Sequence, residues 1–279
     1  MLAFLALALG GGCRAPQPPL EPVQAQPAAQ RIVTLAPHLA ELVYSAGAGG
    51  RLVGVVAFSD FPPEVAALPH VGDAFRLDYE AIAALHPDLV LGWTSGNPPE
   101  TVQRLRDLGL RVELLEPVSL DDIGAQIAHI GALAGTPAAA SLAAHDFQAH
   151  LEWLRSRPAR ASPLRVFLQL SGQPFFTVTD RQFLGQGLRL CGGENVFGDL
   201  PGLTAIVSME SIIAAAPDAI IASDMGGQGP ALLSIWKAWP DLPAVRERRL
   251  YTLDADLLSR PSARILDGVD GLCRLLDGN

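Results

Sequence analysis

The chain alternates short apolar runs with longer stretches in which apolar residues recur every three or four positions. The first half contains four such runs, each rich in Val, Leu and Ile: RIVTL (31–35), RLVGVV (51–56), DLVLGW (88–93) and LRVELL (110–115). Their composition and their Gly, Pro or Asp boundaries predict β-strands. The stretches between them predict helices near 38–46, 79–86 and 98–108. Strands that alternate with helices indicate a parallel sheet covered by helices on both faces.

The second half repeats this plan. Its apolar runs predict four further strands: RVFLQL (165–170), FFTV (175–178), AIIAS (219–223) and RLYTLD (249–254). Its helical stretches lie near 182–190, 209–216, 229–238 and 261–276. The fold class is therefore predicted as α/β, with two similar Rossmann-like lobes that each contain a parallel sheet.

The segment between the two halves, 119–157, is rich in Ala and Leu and has helical periodicity. Pro137 interrupts it and suits the first turn of a new helix. From Pro137 to Arg157 such a helix would be about 30 Å long. We expect one linking helix (135–160) between an N-terminal lobe (31–134) and a C-terminal lobe (161–279), acting as a stiff hinge that allows modest tilting.

The first residues differ from the rest of the chain. Residues 1–13 form a short apolar segment that ends at Cys13, which resembles a lipoprotein processing site, with an ordinary signal peptide as the alternative. The Pro- and Gln-rich residues 14–30 predict an extended tether. We expect an exported protein, anchored through a lipid on Cys13 if the first reading holds.

Two sequence stretches are nearly the same: LDYEAIAALHPDLVLGW (77–93) and VSMESIIAAAPDAIIAS (207–223). The alignment places Glu80 on Glu210 and gives each a capping residue two positions earlier, Asp78 or Ser208. An acidic residue in the first turn of a helix is favoured by the helix dipole alone. The dipole does not require the same residue at the same register in both lobes, so we interpret the pair as two equivalent contact points for a partner.

Charge and cysteine content narrow the possible functions. A net charge of −9 without a basic stretch argues against nucleic acid or an anionic membrane surface as the main partner. After residue 12 no apolar run reaches the roughly 18 residues that span a bilayer. Apart from Cys13, the chain has Cys191 and Cys273, a pair that favours a disulfide in an exported protein, with two buried free thiols as the alternative.

Signatures of enzymes and metal sites are missing from the sequence. The six histidines are scattered, and no P-loop, G-x-S-x-G or H-E-x-x-H motif occurs. We therefore expect no catalytic residue, no metal site and no cofactor.

The candidate ligand contacts are in loops that follow strands, because ligands of open α/β sheets bind outside the carboxyl ends of strands. These loops lie in LAPHLAEL (35–42), AFSDFPPE (57–64), GWTSGNPP (92–99), LSGQPFF (170–176) and DADLLSR (254–260). The residues selected from them are Pro37, His38, Phe58, Trp93, Phe175, Asp256, Leu257, Leu258, Ser259 and Arg260.

The chain resembles the periplasmic vitamin B12-binding proteins of bacterial ABC importers, which belong to the helix-linked class of substrate-binding proteins. The similarity runs from about Arg31 to Leu276 and rests on RIVTLAP, VGVVAFSDFPPE, ALHPDLVLGW, RVFLQL, CGGENVF and VSMESI, all in order. CGGENVF supports the wider class, whereas SDFPPE, DLVLGW and SRPSARI point to the corrinoid branch. The resemblance implies a periplasmic monomer that binds cobalamin or a close corrinoid as its transported ligand and performs no chemistry on it.

The resemblance also assigns roles to single residues. Phe58 would be a ring contact, Trp93 would line the cleft, and 256–260 would lie along the corrinoid. Cys191 and Cys273 match the family's disulfide pair. Glu80 and Glu210 match positions that meet arginines of the transmembrane permease.

Some positions depart from the family pattern. Thr204 and Leu257 stand where a well-known member has tryptophans, and Ala74 replaces another aromatic residue. The alternatives are a haem carrier of the same class with His38 as axial ligand, or a ferric-siderophore carrier that uses Arg260 and Arg264. From other classes, an α/β enzyme without a recognisable motif or an adhesion module remains open.

Overall fold

A computed structural model of the chain describes residues 27–73, 75–158 and 160–278. The N-terminal lobe is a four-stranded parallel sheet in the order β2-β1-β3-β4, with strands β1 (Ile32–Thr34), β2 (Leu52–Gly54), β3 (Leu89–Trp93) and β4 (Val112–Leu115). Its helices are α1 (Pro37–Ser45), α2 (Tyr79–Ala84), α3 (Pro99–Asp107) and α4 (Leu120–Ala134). The predicted strands and helices of this lobe are confirmed.

The linking helix is α5 (Pro137–Arg155). Helix α4 ends at Gly135, whose φ of 67° is in the left-handed region that favours glycine. Pro137 then starts α5, and the Thr136 hydroxyl donates to the carbonyl of Ala46 at 2.7 Å. At 19 residues, α5 is about 28 Å long. It packs against α4 on one side and the C-terminal helix of the chain on the other.

The C-terminal lobe has a second parallel sheet, in the order β10-β9-β5-β7, with strands β5 (Leu164–Gln169), β7 (Gly193–Asn195), β9 (Ala219–Asp224) and β10 (Leu250–Asp254). Strands β6 (Phe175–Val178) and β8 (Thr204–Val207) form a separate antiparallel pair. The helices are α6 (Phe183–Leu190), α7 (Met209–Ala215), α8 (Gly229–Ser234), α9 (Pro243–Arg246), α10 (Ala255–Ser259) and α11 (Ile265–Asp277).

This lobe differs from the sequence prediction in several places; the short helices α9 and α10, for example, were not predicted. FFTV was expected in the parallel sheet, but it forms β6 and pairs antiparallel with β8, which was not predicted. Strand β7 has the sequence Gly-Glu-Asn, which carries no strand preference of its own and is held by pairing with β5. The last helix begins at Ile265 rather than near residue 261.

One apolar cluster runs through both lobes. It contains Leu39 of α1, Ile127 of α4, Leu151 of α5, Leu168 of β5 and Val269 of α11, all fully buried. Because the same packed core continues across the linking helix, the lobes are joined by apolar burial as well as by the chain. Large relative movement would expose part of this core to water.

The disulfide between Cys191 and Cys273 is confirmed. Cys191 follows α6 and Cys273 lies in α11, with their Cα atoms 4.7 Å apart. Both residues are buried in the core that joins the lobes. The bond ties the last helix of the chain to the middle of the second lobe.

The sequence repeat corresponds to the same structural joint in each lobe. The carboxylate of Asp88 accepts a hydrogen bond from the backbone N–H of Arg31 at 2.9 Å, just before β1. Asp218 accepts one from Arg165 of β5 at 3.0 Å. In each lobe, the repeated aspartate therefore hydrogen-bonds the turn between a helix and the following strand to the backbone at the start of the lobe's first strand.

The turn itself is also repeated. His86 and Ala216 have φ angles of 45° and 44°, a left-handed conformation that non-glycine residues rarely adopt.

Replacing Ala216 with Gly is expected to raise the free energy of unfolding by about 0.5–1 kcal/mol, because glycine adopts this conformation without steric strain. Urea unfolding would measure the change. Ala214→Gly, inside α7, is the control and should lower stability by a similar amount; a stability loss at Ala216 would contradict the prediction.

Candidate ligand-binding cleft

A cavity of about 490 Å³ lies between the two lobes. It is bounded by loops that follow β3, β4 and β6 and by the residues around the end of α10, so it lies outside the carboxyl ends of strands, where a ligand was expected. The first lobe contributes Trp93, Ser95, Glu116, Pro117 and Val118; the second contributes Arg181, Gln182, Phe183, Gln186, Leu203, Thr204, Ser259 and Pro261. The exposed surface of its lining is mostly apolar.

Trp93 is fixed by its neighbours in the sequence GWTSGNPP. The side-chain oxygen of Asn97 accepts a hydrogen bond from the Trp93 N–H at 2.7 Å, and the Asn97 amide donates to the carbonyl of Leu35 at 3.1 Å. Gly96 lies against the indole, where an added Cβ would be 1.9 Å from the ring. His38 meets the indole edge-on, with ring centroids 5.1 Å apart. The tryptophan is therefore held in place before any ligand arrives.

The lobes also contact each other at the cavity through Gln186. Its amide donates to the carbonyl of Val118 at 2.9 Å, and its carbonyl accepts from the N–H of Leu120 at 3.2 Å. Gln186 belongs to α6 of the second lobe, whereas Val118 and Leu120 precede and begin α4 of the first. The side chain of Gln186 is thus the hydrogen-bond partner of two backbone groups of the other lobe at the cavity wall.

A cluster of charged side chains and one serine hydroxyl, the inter-lobe ion cluster, lies next to the cavity. It comprises Glu41, Asp60, Asp256, Arg260, Ser262 and Arg264. Its centre is Glu41 of α1, a carboxylate that is only 3% exposed.

Glu41 binds three groups of the second lobe. It accepts from Arg264 at 2.7 and 3.0 Å, from the Ser262 hydroxyl at 2.6 Å and from Arg260 at 3.2 Å. Arg260 also pairs with Asp60 at 2.6 Å and with Asp256 at 2.9 Å. Both arginines are therefore engaged by protein carboxylates and are not free cations.

The pKa values of two carboxylates in the cluster, Asp60 and Asp256, are shifted from their usual values. A hydrogen bond from Arg260 lowers the pKa of Asp60. Burial raises the pKa of Asp256, although Arg260 opposes the shift. Phe61 covers Arg264 from one side, with the guanidinium carbon 3.7 Å from the ring centroid.

His38 is buried, with 3% of its surface exposed. Burial lowers the pKa of His38 to about 3, and the positive charge of Arg260 acts in the same direction. The ring is therefore neutral at physiological pH. Within the part of the chain that the structure describes, its Nε2 atom has no hydrogen-bond partner.

The lowered pKa of His38 predicts that the folded protein loses stability as the pH falls. In the unfolded chain it takes up a proton near pH 6.5, whereas the folded protein does not protonate it until about pH 3. Lowering the pH from 7 to 5 should therefore lower the free energy of unfolding by about 2 kcal/mol through this residue. Urea unfolding at both pH values would show a smaller pH dependence for His38→Gln than for the wild type. His145→Gln, at an exposed position, is the control, and equal pH dependence in all three proteins would contradict the prediction.

The structure brings several predicted site residues together. Trp93 and Ser259 line the cavity, and Asp256 and Arg260 belong to the inter-lobe ion cluster beside it. Pro37 and Leu257 are half-buried, at the start of α1 and in α10. The side chain of Leu258 is not among those that the structure describes.

Two aromatic candidates differ in their exposure. Phe58 is 78% exposed in the loop after β2, with a φ of 65°. Phe175 is only 2% exposed and packs in the core against Trp236, with ring centroids 5.6 Å apart, so its prediction as a cleft contact is wrong. Alternate residues of a strand face opposite sides, and Phe176, which is exposed, has the outward position.

Much of the cavity wall was not predicted from the sequence. Glu116, Val118, Arg181, Phe183 and Leu203 were not selected. The first two directly follow β4, where the strand-end rule would have found them. The others lie after β6, at the start of α6 and before β8, and their position depended on the antiparallel pair that was not predicted.

The two repeated glutamates lie on the outside of the molecule. Glu80 and Glu210 are exposed in the first turns of α2 and α7, and Asp78 and Ser208 are the N-cap residues, as the repeat predicted. The Asp78 carboxylate accepts from the N–H of Ala81 at 2.9 Å. Hydrogen bonds from its own N–H and from Ser208 lower the pKa of Glu210.

A larger hollow, of about 720 Å³, lies beside Glu80. All of its lining residues belong to the first lobe, among them Arg76 and Arg104, so it is not part of the cleft.

In residues 27–73, 75–158 and 160–278, none of the helices has both the length and the apolar composition that a membrane span requires. Among these residues there is also no group of three or more His, Cys, Asp and Glu side chains that could hold a metal ion.

Two lobes with parallel sheets, one linking helix and a cleft between them define a class of binding protein. The model of the periplasmic binding protein family matches residues 32–257. The vitamin B12-binding protein of Vibrio cholerae is 36% identical over 249 residues, which cover 89% of each chain. The chain belongs to the periplasmic binding protein family.

Solved structures agree with this assignment. The periplasmic vitamin B12-binding protein BtuF of Vibrio cholerae superposes with a TM-score of 0.82 at 36% identity, covering 89% of this chain and 97% of that one. The periplasmic haem-binding protein RhuT of Roseiflexus sp. RS-1 has a TM-score of 0.78 at 27% identity, covering 89% and 98%. The fold is shared with haem binders, so the ligand has to be argued from the cleft.

Proposed function

We propose that this protein captures cobalamin or a close corrinoid between its lobes and delivers it to the permease of an ABC importer. The observation that carries the proposal is the inter-lobe cavity, which is mostly apolar, lined by a fixed Trp93, and adjoined by arginines that protein carboxylates already engage. A large ligand with amide side chains suits such a cleft, because apolar walls can cover the macrocycle. The relatives named for vitamin B12 support the same choice.

The features of the cleft disfavour the two alternatives within the class. A haem carrier would need an axial ligand, and His38, the residue considered for it, is buried beneath Trp93. A carrier of anionic ferric chelates would need several free cations, but the two arginines considered for that role, Arg260 and Arg264, are paired with Glu41. Arg181 is a single further cation in the cavity wall. Corrinoid binding is therefore the better supported function.

Calorimetric titration tests the proposal directly. We expect cyanocobalamin and cobinamide to bind one per protein molecule with dissociation constants below about 1 μM, corresponding to more than about 8 kcal/mol. Haem and a ferric siderophore are the comparison ligands. Absence of cyanocobalamin binding at micromolar protein, or tighter binding of haem, would overturn the proposal.

We also propose that the cleft is not catalytic and uses no cofactor of its own. Bound cyanocobalamin should then be recovered unchanged, with the absorption spectrum it had before binding. A new corrinoid species after prolonged incubation would instead indicate an enzyme on this α/β scaffold.

The position of the protein in the cell is part of the proposal. Membership of a periplasmic family fits the export segment 1–13 and the tether 14–30. Cys13 lies outside the described residues, and we propose it as the site of a lipid anchor. Mass spectrometry of the mature N-terminus would show either a lipidated Cys13 or cleavage elsewhere.

For the permease, we propose that Glu80 and Glu210 are the docking residues. Both are exposed at equivalent positions of the two lobes, and carboxylates form strong hydrogen-bonded pairs with arginines. The double variant Glu80→Arg with Glu210→Arg should leave cyanocobalamin affinity unchanged and abolish permease binding and uptake. Uptake of labelled cobalamin by cells that carry the importer would measure this.

The matched control reverses two other exposed glutamates, Glu100 in the first turn of α3 and Glu247 after α9. This control changes the net charge by the same amount and should retain uptake. Full uptake by the Glu80/Glu210 variant would show that these glutamates serve only their own helices.

A further inference from the structure

Glu116 is a fixed carboxylate in the cavity wall. It directly follows β4, and both of its oxygens accept hydrogen bonds from Ser95: one from the backbone N–H at 2.7 Å and one from the hydroxyl at 2.9 Å. Ser95 lies two residues after Trp93, so one short loop places the indole and holds the carboxylate. The orientation of Glu116 is therefore set by the protein.

Within the part of the chain that the structure describes, this carboxylate has no cationic partner. Among the described residues, no Arg, Lys or His side chain lies within ion-pair distance of Glu116, in contrast to Glu41 in the inter-lobe ion cluster. Its wall neighbours include Trp93, Pro117 and Val118. A carboxylate has about four acceptor positions, and Ser95 uses two of them.

An unpaired anionic acceptor beside apolar walls favours a ligand that brings N–H donors to it and disfavours one that brings negative charge. A corrin ring carries carboxamide side chains around its edge. Haem and hydrolysed corrinoids carry carboxylates instead. Glu116 can therefore distinguish an intact corrinoid from these ligands, because a carboxamide donates a hydrogen bond to it and a carboxylate repels it.

We propose that Glu116 is a specificity-determining residue that accepts an N–H bond from a corrinoid carboxamide and rejects a carboxylate at that position. This inference rests on the proposed function, because it assumes that a corrinoid occupies the cavity. It adds the chemical group of the ligand that the site recognises, a carboxamide, and the residue that recognises it, Glu116.

The test uses cyanocobalamin and the three monocarboxylic acids in which one of its propionamides has been hydrolysed. Each differs from the parent by a single amide-to-carboxylate change. With the wild-type protein, at least one isomer should bind about 30-fold or more weakly than cyanocobalamin, because two negative charges then face each other where the bound ligand covers Glu116. Calorimetry of the unmodified protein measures this without any mutation.

The variant Glu116→Gln keeps the shape of the side chain and removes its charge. It should bind cyanocobalamin about 5-fold more weakly, since a neutral acceptor makes a weaker bond. The rejected isomer should now bind within about 3-fold of cyanocobalamin. Glu152→Gln, an exposed glutamate of α5 outside the cavity, is the control and should still reject the same isomer.

The outcomes separate the two proposals. If wild-type protein does not bind cyanocobalamin, the proposed function fails. If cyanocobalamin binds but all three isomers bind equally well, or if Glu116→Gln still rejects the same isomer, the role of Glu116 is wrong and the proposed function stands.

Discussion

Replacing Glu41 with Ala is expected to lower the free energy of unfolding by about 3–5 kcal/mol. The change leaves Arg264 and the Ser262 hydroxyl without their carboxylate and weakens the pairing of Arg260. The loss is large because these groups are buried where the two lobes meet, and water cannot replace the missing partner without opening the interface. Urea unfolding followed by circular dichroism would measure the change.

The control for this prediction is Glu152→Ala. Glu152 also pairs with an arginine, Arg155 at 2.7 Å, but on the exposed face of α5. Its removal should cost no more than about 1 kcal/mol. A loss at Glu41 as small as that at Glu152 would show that the inter-lobe ion cluster contributes little to stability.

Breaking the disulfide is expected to lower the free energy of unfolding by about 2–4 kcal/mol. The bond closes a loop with a sequence separation of 82 residues and restricts the unfolded chain more than the folded one. The folded structure should persist when the bond is reduced, because both sulfurs are buried in the apolar core. Unfolding with and without a reducing agent would give the difference.

The double variant Cys191→Ala with Cys273→Ala is the matched control. It should be less stable than the oxidised wild type, and the reducing agent should not change its stability. Equal stability of oxidised and reduced wild-type protein would contradict the prediction.

Much of the fold could be predicted from local pattern. Apolar runs marked the strands of the first lobe, Pro137 marked the start of the linking helix, and the repeat marked the two capped helices. In each case the deciding residues are close together in sequence. Strand β7 and the antiparallel pairing of β6 could not be read this way, because each depends on a partner strand elsewhere in the chain.

The site was less predictable than the fold. The strand-end loops indicated Trp93, which lines the cavity. In β6, by contrast, the alternation of side chains along the strand exposes Phe176 rather than Phe175. Glu41 was not selected at all, since its position within α1 gives no sign of partners more than 200 residues away. Glu116 carries no motif, and only the three-dimensional structure shows that no Arg, Lys or His side chain in residues 27–73, 75–158 and 160–278 pairs with it.

The separation in sequence between Glu41 and its partners bears on the order of synthesis. Arg260, Ser262 and Arg264 lie 219, 221 and 223 residues after Glu41. A chain emerges from the ribosome N-terminus first, so the first sheet can form while the partners of this buried carboxylate do not yet exist. Nascent or truncated chains that lack these partners therefore carry the negative charge of Glu41 unpaired on the surface that later forms the lobe interface. Only the complete chain supplies the arginines that pair with it.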